Sequence, residues 1–187
     1  MLHFTRRQFL KITGGFVAGT ATVGSFSLIN NLRANASAII TLKCLGDQNG
    51  PRFLDGRTFN GTVGLAPSTG GGFTGTRWEF FFDLDRVIVA FRCLGDQNGP
   101  RFLDGRTYNG TVGLAPIAGG KFSGALWDID DNGTDNRIIT IKSMGDQNGP
   151  RFLDGRTYNG TVGLAPSTGG GFTGTRWELA VVGSTDS

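Results

Sequence analysis

Gly46-Asp47-Gln48-Asn49-Gly50-Pro51-Arg52-Phe53-Leu54-Asp55-Gly56-Arg57-Thr58 is written three times in this chain, returning at Gly95–Thr107 and at Gly145–Thr157. The first and third copies agree at every position from Gly46 to Glu79 except one, where Phe59 becomes Tyr158. Working outward, each copy is preceded by an alternating segment. Ile40, Leu42 and Cys44 fall on one side and Thr41 and Lys43 on the other; Val89, Phe91 and Cys93 repeat the pattern, as do Ile139, Ile141 and Ser143. Alternation with period two is the mark of a half-buried strand. Each copy is followed by an Asn-Gly pair (Asn60-Gly61, Asn109-Gly110, Asn159-Gly160), a strong hairpin signal that predicts a type I′ turn.

A unit therefore offers four strands, in the first repeat 39–45, 52–55, 62–66 and 76–82. Nothing after residue 36 shows a helical period, so the fold class is all-β. Three units of about 50 residues with four strands each fit a pseudo-threefold β-trefoil. A propeller typically needs at least four blades, which here would require several chains. Closure of three equal units leaves no open sheet edge. The predicted domain runs over 37–187, with lobes at about 38–86, 87–136 and 137–183. Trp78, Trp127 and Trp177 recur at one place in the last strand and are expected in the core, with Phe53, Phe102 and Phe152 and with Leu65, Leu114 and Leu164.

The first 36 residues read as an export signal. Thr5-Arg6-Arg7-Gln8-Phe9-Leu10-Lys11 is a twin-arginine signature, Ile12 to Ile29 is a glycine-interrupted apolar run too weak for a membrane span, and Ala34-Asn35-Ala36 is a cleavage site. The expected location is periplasmic or extracellular. The whole chain has 18 Lys and Arg against 15 Asp and Glu, a net +3. Four of those bases (Arg6, Arg7, Lys11, Arg33) and no acid lie in the signal, leaving 14 against 15, a net −1. The basic balance thus gives no warrant for nucleic-acid binding. His3, the one histidine, leaves with the signal as well, which excludes histidine metal sites and histidine-assisted nucleophiles from the mature chain. No cofactor is expected.

Phe53-Leu54-Asp55, then Asn60-Gly61-Thr62-Val63, Leu65 and Trp78 fall in the order found in ricin-B-type β-trefoil lectin modules, which the chain resembles over its whole mature length. The resemblance implies a carbohydrate-binding module with an Asp in each lobe, met by Asp55, Asp104 and Asp154. The aromatic platform of that family falls on Ala66, Ala115 and Ala165, and the Gln of its Gln-x-Trp on Thr76, Ala125 and Thr175, so its sugar geometry does not transfer whole.

The residues themselves supply a polar set per lobe: Asp47, Asn49, Arg52, Asp55, Arg57 and Asn60; then Asp96, Asn98, Arg101, Asp104 and Asn109; then Asp146, Asn148, Arg151, Asp154 and Asn159. Phe59, Tyr108 or Tyr158 stands beside each set. Carboxylates and amides suit vicinal hydroxyls, and a ring covers the apolar face of a pyranose. The same residues also fit plain structure, with Asp55-Gly56-Arg57 as a turn holding a local ion pair and Asp47 as an Asx-turn. Asp128, Asp130 and Asn132 begin a calcium-loop pattern that lacks its closing Glu, so no metal is assigned.

Cys44 and Cys93 match in position and Ser143 takes that place in the third unit. Export favours a disulfide, but twin-arginine cargo folds in a reducing compartment and matching strands of a barrel hold the sulfurs apart, so two buried thiols are expected. The predicted function is a secreted, monomeric, non-catalytic binder of a glycan or polysaccharide. The alternative is a protease inhibitor or other protein-binding trefoil, using the odd segment Ile117–Leu126.

Overall fold

The computed structural model describes residues 38–83, 88–130 and 137–184. The export signal over 1–36, with its arginine pair and cleavage site, lies outside the described residues, as does Asn132 of the acidic linker. The first repeat forms β1 (Ala38–Cys44), β2 (Phe53–Arg57), β3 (Thr62–Ala66) and β4 (Trp78–Asp83). The second forms β5 (Ile88–Cys93), β6 (Phe102–Arg106), β7 (Thr111–Ala115) and β8 (Trp127–Asp130). The third forms β9 (Ile138–Ser143), β10 (Phe152–Arg156), β11 (Thr161–Ala165) and β12 (Trp177–Ser184). A single turn of 3-10 helix precedes the last strand of each repeat, at Thr74–Thr76, Ser123–Ala125 and Thr173–Thr175.

The first and last strands of the repeats close a barrel. β1 pairs with β4, β4 with β5, β5 with β8, β8 with β9, β9 with β12, and β12 returns to β1. Closure follows from the alternation: Ile40, Leu42, Phe91, Ile139 and Ile141 all point inward and are fully buried. Each such side chain contributes roughly 1.5–3 kcal/mol by leaving water. The middle strands form hairpins, β2–β3, β6–β7 and β10–β11, in one shared register that sets Asp55 opposite Gly64, Asp104 opposite Gly113 and Asp154 opposite Gly163. The hairpins meet one another through β3–β7, β7–β11 and β11–β3, which forms a cap.

Trp78, Trp127 and Trp177 sit in the core as expected, and each Nε1 donates to a carbonyl of the hairpin above it: Leu54 at 3.0 Å, Leu103 at 2.9 Å and Leu153 at 3.0 Å. The ring therefore fills the barrel while its polar atom is satisfied. Leu65, Leu114 and Leu164 join them.

Three expectations are corrected. Phe53, Phe102 and Phe152 are only half-buried, and Leu54, Leu103 and Leu153 fill the interior instead. The strand face decides this: Gly56, on the side of Leu54, is packed against Trp78 and Cys93, so Phe53 must face the other way. The second strand does not stop at Asp55 but runs on to Arg57. The turn then spans four residues: the amides of Asn60 and Gly61 both donate to Arg57 O, at 3.2 and 2.9 Å, and Gly61 has φ +72°. This is a four-residue hairpin loop, not a two-residue type I′ turn.

Cys44 and Cys93 are free and buried. Cys93 Sγ donates to Gly56 O at 3.3 Å and accepts from the Gly95 amide at 3.4 Å, and Ser143 Oγ does the same work with Gly105 O and the Gly145 amide, each at 3.2 Å. Burial pushes the Cys93 thiol up to about 11, so it is not a reactive thiolate.

Candidate functional site

The polar set of each repeat divides into two layers. Asp55, Asp104 and Asp154 belong to the inner one, only 7%, 6% and 6% exposed. Each lies on the strand face away from the barrel, yet the 3-10 turn covers it. A methyl on Gly75 would meet Asp55 Oδ1 at 2.7 Å, and Gly124 and Gly174 stand equally close over Asp104 and Asp154. The carboxylates face Arg57 at 3.8 Å, Arg106 at 3.6 Å and Arg156 at 3.8 Å through Nε. Burial raises all three carboxyls above their ordinary range, and the arginines only partly oppose it. These aspartates, expected among the sugar-facing polar set, are covered and belong to the hairpin's own packing.

The outer layer is the loop joining the first two strands of each repeat. Arg52 organises it: Nη1 donates to Cys44 O at 3.1 Å and Gly46 O at 2.6 Å, and Nη2 to Gln48 O at 2.9 Å. Arg101 and Arg151 repeat these bonds. Their donors are committed to backbone, so they shape the loop rather than face a ligand. Asn60, Asn109 and Asn159 are similarly occupied, since each Oδ1 accepts from the amide and hydroxyl of the threonine two residues on. Asp47, Asn49, Asp96, Asn98, Asp146 and Asn148 are exposed.

This loop docks on the neighbouring repeat, not on its own. Gly50 lies so close to Thr157 O that no side chain fits, and its φ of +150° favours glycine. Gly99 stands on Thr58 O and Gly149 on Thr107 O in the same manner. Hydroxyls clasp the loops across the repeats: Thr173 Oγ1 donates to Asp47 Oδ1 at 2.8 Å, Thr74 to Asp96 at 2.8 Å, and Ser123 to Asp146 at 3.0 Å. The Thr74 bond holds the Asp96 carboxyl below its ordinary range. Sequence reasoning missed Thr74, Ser123 and Thr173; the signal was a hydroxyl at the same place in all three repeats.

The turn that receives each loop also carries the ring. Phe59, Tyr108 and Tyr158 are each 65% exposed. The structure thus brings Tyr158 beside the loop of Asp47 and Asn49, Phe59 beside that of Asp96 and Asn98, and Tyr108 beside that of Asp146 and Asn148. Each arrangement sets an exposed ring on the turn against which a loop with an exposed carboxylate and amide is docked.

Asp128 and Asp130 lie within β8, opposite Lys142 and Thr140, not at the head of a loop. They border a shallow open depression of about 190 Å³ with Phe152. Among the described residues no cluster of three metal-ligating side chains forms, and none of their helices is long and apolar enough to cross a membrane.

No family model matches the sequence, and no curated protein does. Solved structures match by shape. SeviL bound to asialo-GM1 saccharide superposes with a TM-score of 0.54 at 14% identity, covering 78% of this chain and 98% of its own. The BEL beta-trefoil in its apo form gives 0.51 at 19%, covering 78% and 93%. The fold is trefoil-like. The Haemophilus ducreyi cytolethal distending toxin, at 0.52 and 18% identity over 80% of this chain and 88% of its own, shares the trefoil-like shape. At such identities the likeness speaks for the fold, not for a ligand.

Proposed function

We propose that this trefoil-like protein is an exported, non-catalytic carbohydrate-binding module, with up to three equivalent sites set around a pseudo-threefold axis and no partner subunit. The observation that carries this reading is the exposed ring of one repeat held beside the exposed carboxylate and amide of the next, in three copies. A pyranose would stack its apolar face on Tyr108 or Tyr158 and direct its hydroxyls to Asp146 and Asn148, or to Asp47 and Asn49. Phe59 offers the same face without a phenol. That SeviL, of similar fold, is described with a bound saccharide supports the class of ligand. Each site alone is expected near millimolar, and joint engagement of a polymer would add about 10²-fold or more.

A glycan array and polysaccharide pull-down test this. Replacing Phe59, Tyr108 and Tyr158 together by Ala should abolish retention while the chain stays folded; intact retention would overturn the site.

One observation favours a second reading. The second repeat's loop carries Ile117, 51% exposed, and a short bridge between Gly119 and Phe122. A stiff exposed loop of distinct sequence suits a protease inhibitor, and inhibition of a protease in a broad panel, lost in Ile117→Ala, would decide for it.

A further inference from the structure

The repeated stretch Gly46–Thr58 and its two copies each carry two arginines, and they are used differently. The Arg52, Arg101 and Arg151 side chains spend their donors on loop carbonyls. Arg57, Arg106 and Arg156 do not. Their Nε atoms stand 3.6–3.8 Å from a buried carboxylate, too far for a strong hydrogen bond, while the side chains remain 49%, 43% and 46% exposed. Beyond that one carboxylate contact, each side chain leaves much of its guanidinium edge open to water.

The topology gathers these groups on one face. Arg57 Nη2 lies against Gly64, Arg106 Nη2 against Gly113 and Arg156 Nη2 against Gly163, so close that a methyl on any of these glycines would come within 3.0–3.2 Å. Gly64 pairs with Thr161, Gly113 with Thr62 and Gly163 with Thr111, so the three strands beneath the guanidinium groups form a closed triangle. With neighbouring strands about 5 Å apart and about 3.3 Å per residue along them, successive glycines are within about 12 Å of one another. Three half-exposed cations therefore crown the hairpin cap, and their counter-charges lie beneath the surface. Of each pair the positive partner is the one that meets solvent.

We propose that the Arg57–Arg106–Arg156 face binds tetrahedral oxyanions, sulfate or phosphate, either free or as esters on a polysaccharide. The planar guanidinium edge suits such groups, and charge-assisted bonds to it are stronger than neutral ones. This face is built from side chains that the ring-and-loop sites do not use.

Titrating the ¹⁵N-labelled full chain with sodium sulfate, and separately with inorganic phosphate, at constant ionic strength should shift the amides of Gly64, Gly113 and Gly163 in a saturable way. Shifts that match a sodium chloride control, or that avoid these three amides, would overturn the proposal. A second measurement uses dextran sulfate beads against neutral dextran. The Arg57→Gln/Arg106→Gln/Arg156→Gln variant, checked for fold by its amide spectrum, should lose retention at least tenfold. The Arg77→Gln/Lys121→Gln/Arg176→Gln variant, which removes three exposed bases elsewhere, should not. Equal loss in the two refutes a specific face. If the first variant fails to fold, each single Arg→Gln change should still weaken the sulfate titration, and unchanged titrations would overturn the site. Tighter binding of dextran sulfate than of inorganic sulfate at equal sulfate concentration assigns the ester polymer; equal binding assigns the free ion. Retention on neutral dextran reports on the aromatic sites instead.

Discussion

Asp96 and Asp104 stand eight residues apart in one repeat and carry the same side chain, yet they experience opposite environments. Asp96 projects from a loop into water and takes a hydroxyl from Thr74, which favours its charge. Asp104 lies under a 3-10 turn with a half-exposed arginine at its edge, and burial disfavours its charge. The difference teaches where each layer's strength resides. The inner layer is held by close backbone approach and exclusion of water; the outer layer is held by single hydrogen bonds that reach across repeats.

The largest effect is expected where the inner layer is tightest. Gly124 roofs Asp104, and a methyl there would collide with Gly105 O and the carboxylate. Gly124→Ala should cost about 3 kcal/mol in a urea denaturation, because backbone cannot yield as a flexible side chain can. Gly70→Ala, in a loop with open space around it, should stay within about 0.5 kcal/mol. If the two variants unfold at the same urea concentration, the roof does not exist as described.

Next is the ring of the outer layer. Tyr108→Ala should weaken binding to a polymeric glycan by about tenfold, near 1.4 kcal/mol, and leave the urea midpoint unchanged because the side chain is 65% exposed. A large fall in stability with unchanged binding would place Tyr108 in the structural layer and break the division.

That division shows what could be read in the sequence. The strand alternation around Ile40, Leu42 and Cys44, the hairpins and the buried Trp78 series follow from local pattern, because each depends on residues close along the chain. The role of Asp55 does not. Its neighbour Gly56 faces Trp78 and Cys93, which turns Asp55 outward, and only the fold brings Gly75 back over it. Nor does the partner of Asp47, since Thr173 lies 126 residues away. Phe53 and Leu54 are adjacent and both apolar, so periodicity alone does not say which enters the core; the register of β2 against β3 does.

The pH response separates the layers by sign. For Asp55, Asp104 and Asp154 the folded-state pKa is raised, so their protonation favours folding. That stabilisation is full below the unfolded value near 3.8 and is lost as pH rises through the folded value. For Asp96 the folded-state pKa is lowered; its contribution is present above 3.8 and lost as pH falls through the folded value. Replacing Asp55, Asp104 and Asp154 together by Asn should remove the acid-favoured part, so the variant gains in melting temperature relative to the parent as pH rises from 3 to 7. Asp96→Asn should change the profile in the opposite sense and by less. Parallel profiles for the parent and the triple variant would show that the inner carboxylates are not desolvated.

The smallest effect on stability, and the sharpest test of the outer layer, belongs to Ser123. Its Oγ donates to Asp146 Oδ1 at 3.0 Å and accepts from the Asp146 amide at 3.2 Å, both exposed to water. Ser123→Ala should cost no more than about 0.5 kcal/mol, since water replaces a surface hydrogen bond at little expense. Amide exchange over residues 145–149 should nonetheless quicken, because the clasp restrains the loop more than it stabilises the barrel. If this loop presents Asp146 and Asn148 to a sugar beside Tyr108, the loosened loop must also bind less well, and Ser123→Thr, which restores the residue found at 74 and 173, must recover it. Unchanged exchange in the Ala variant would mean that the Arg151 bonds to Ser143, Gly145 and Gln147 carbonyls fix the loop without help.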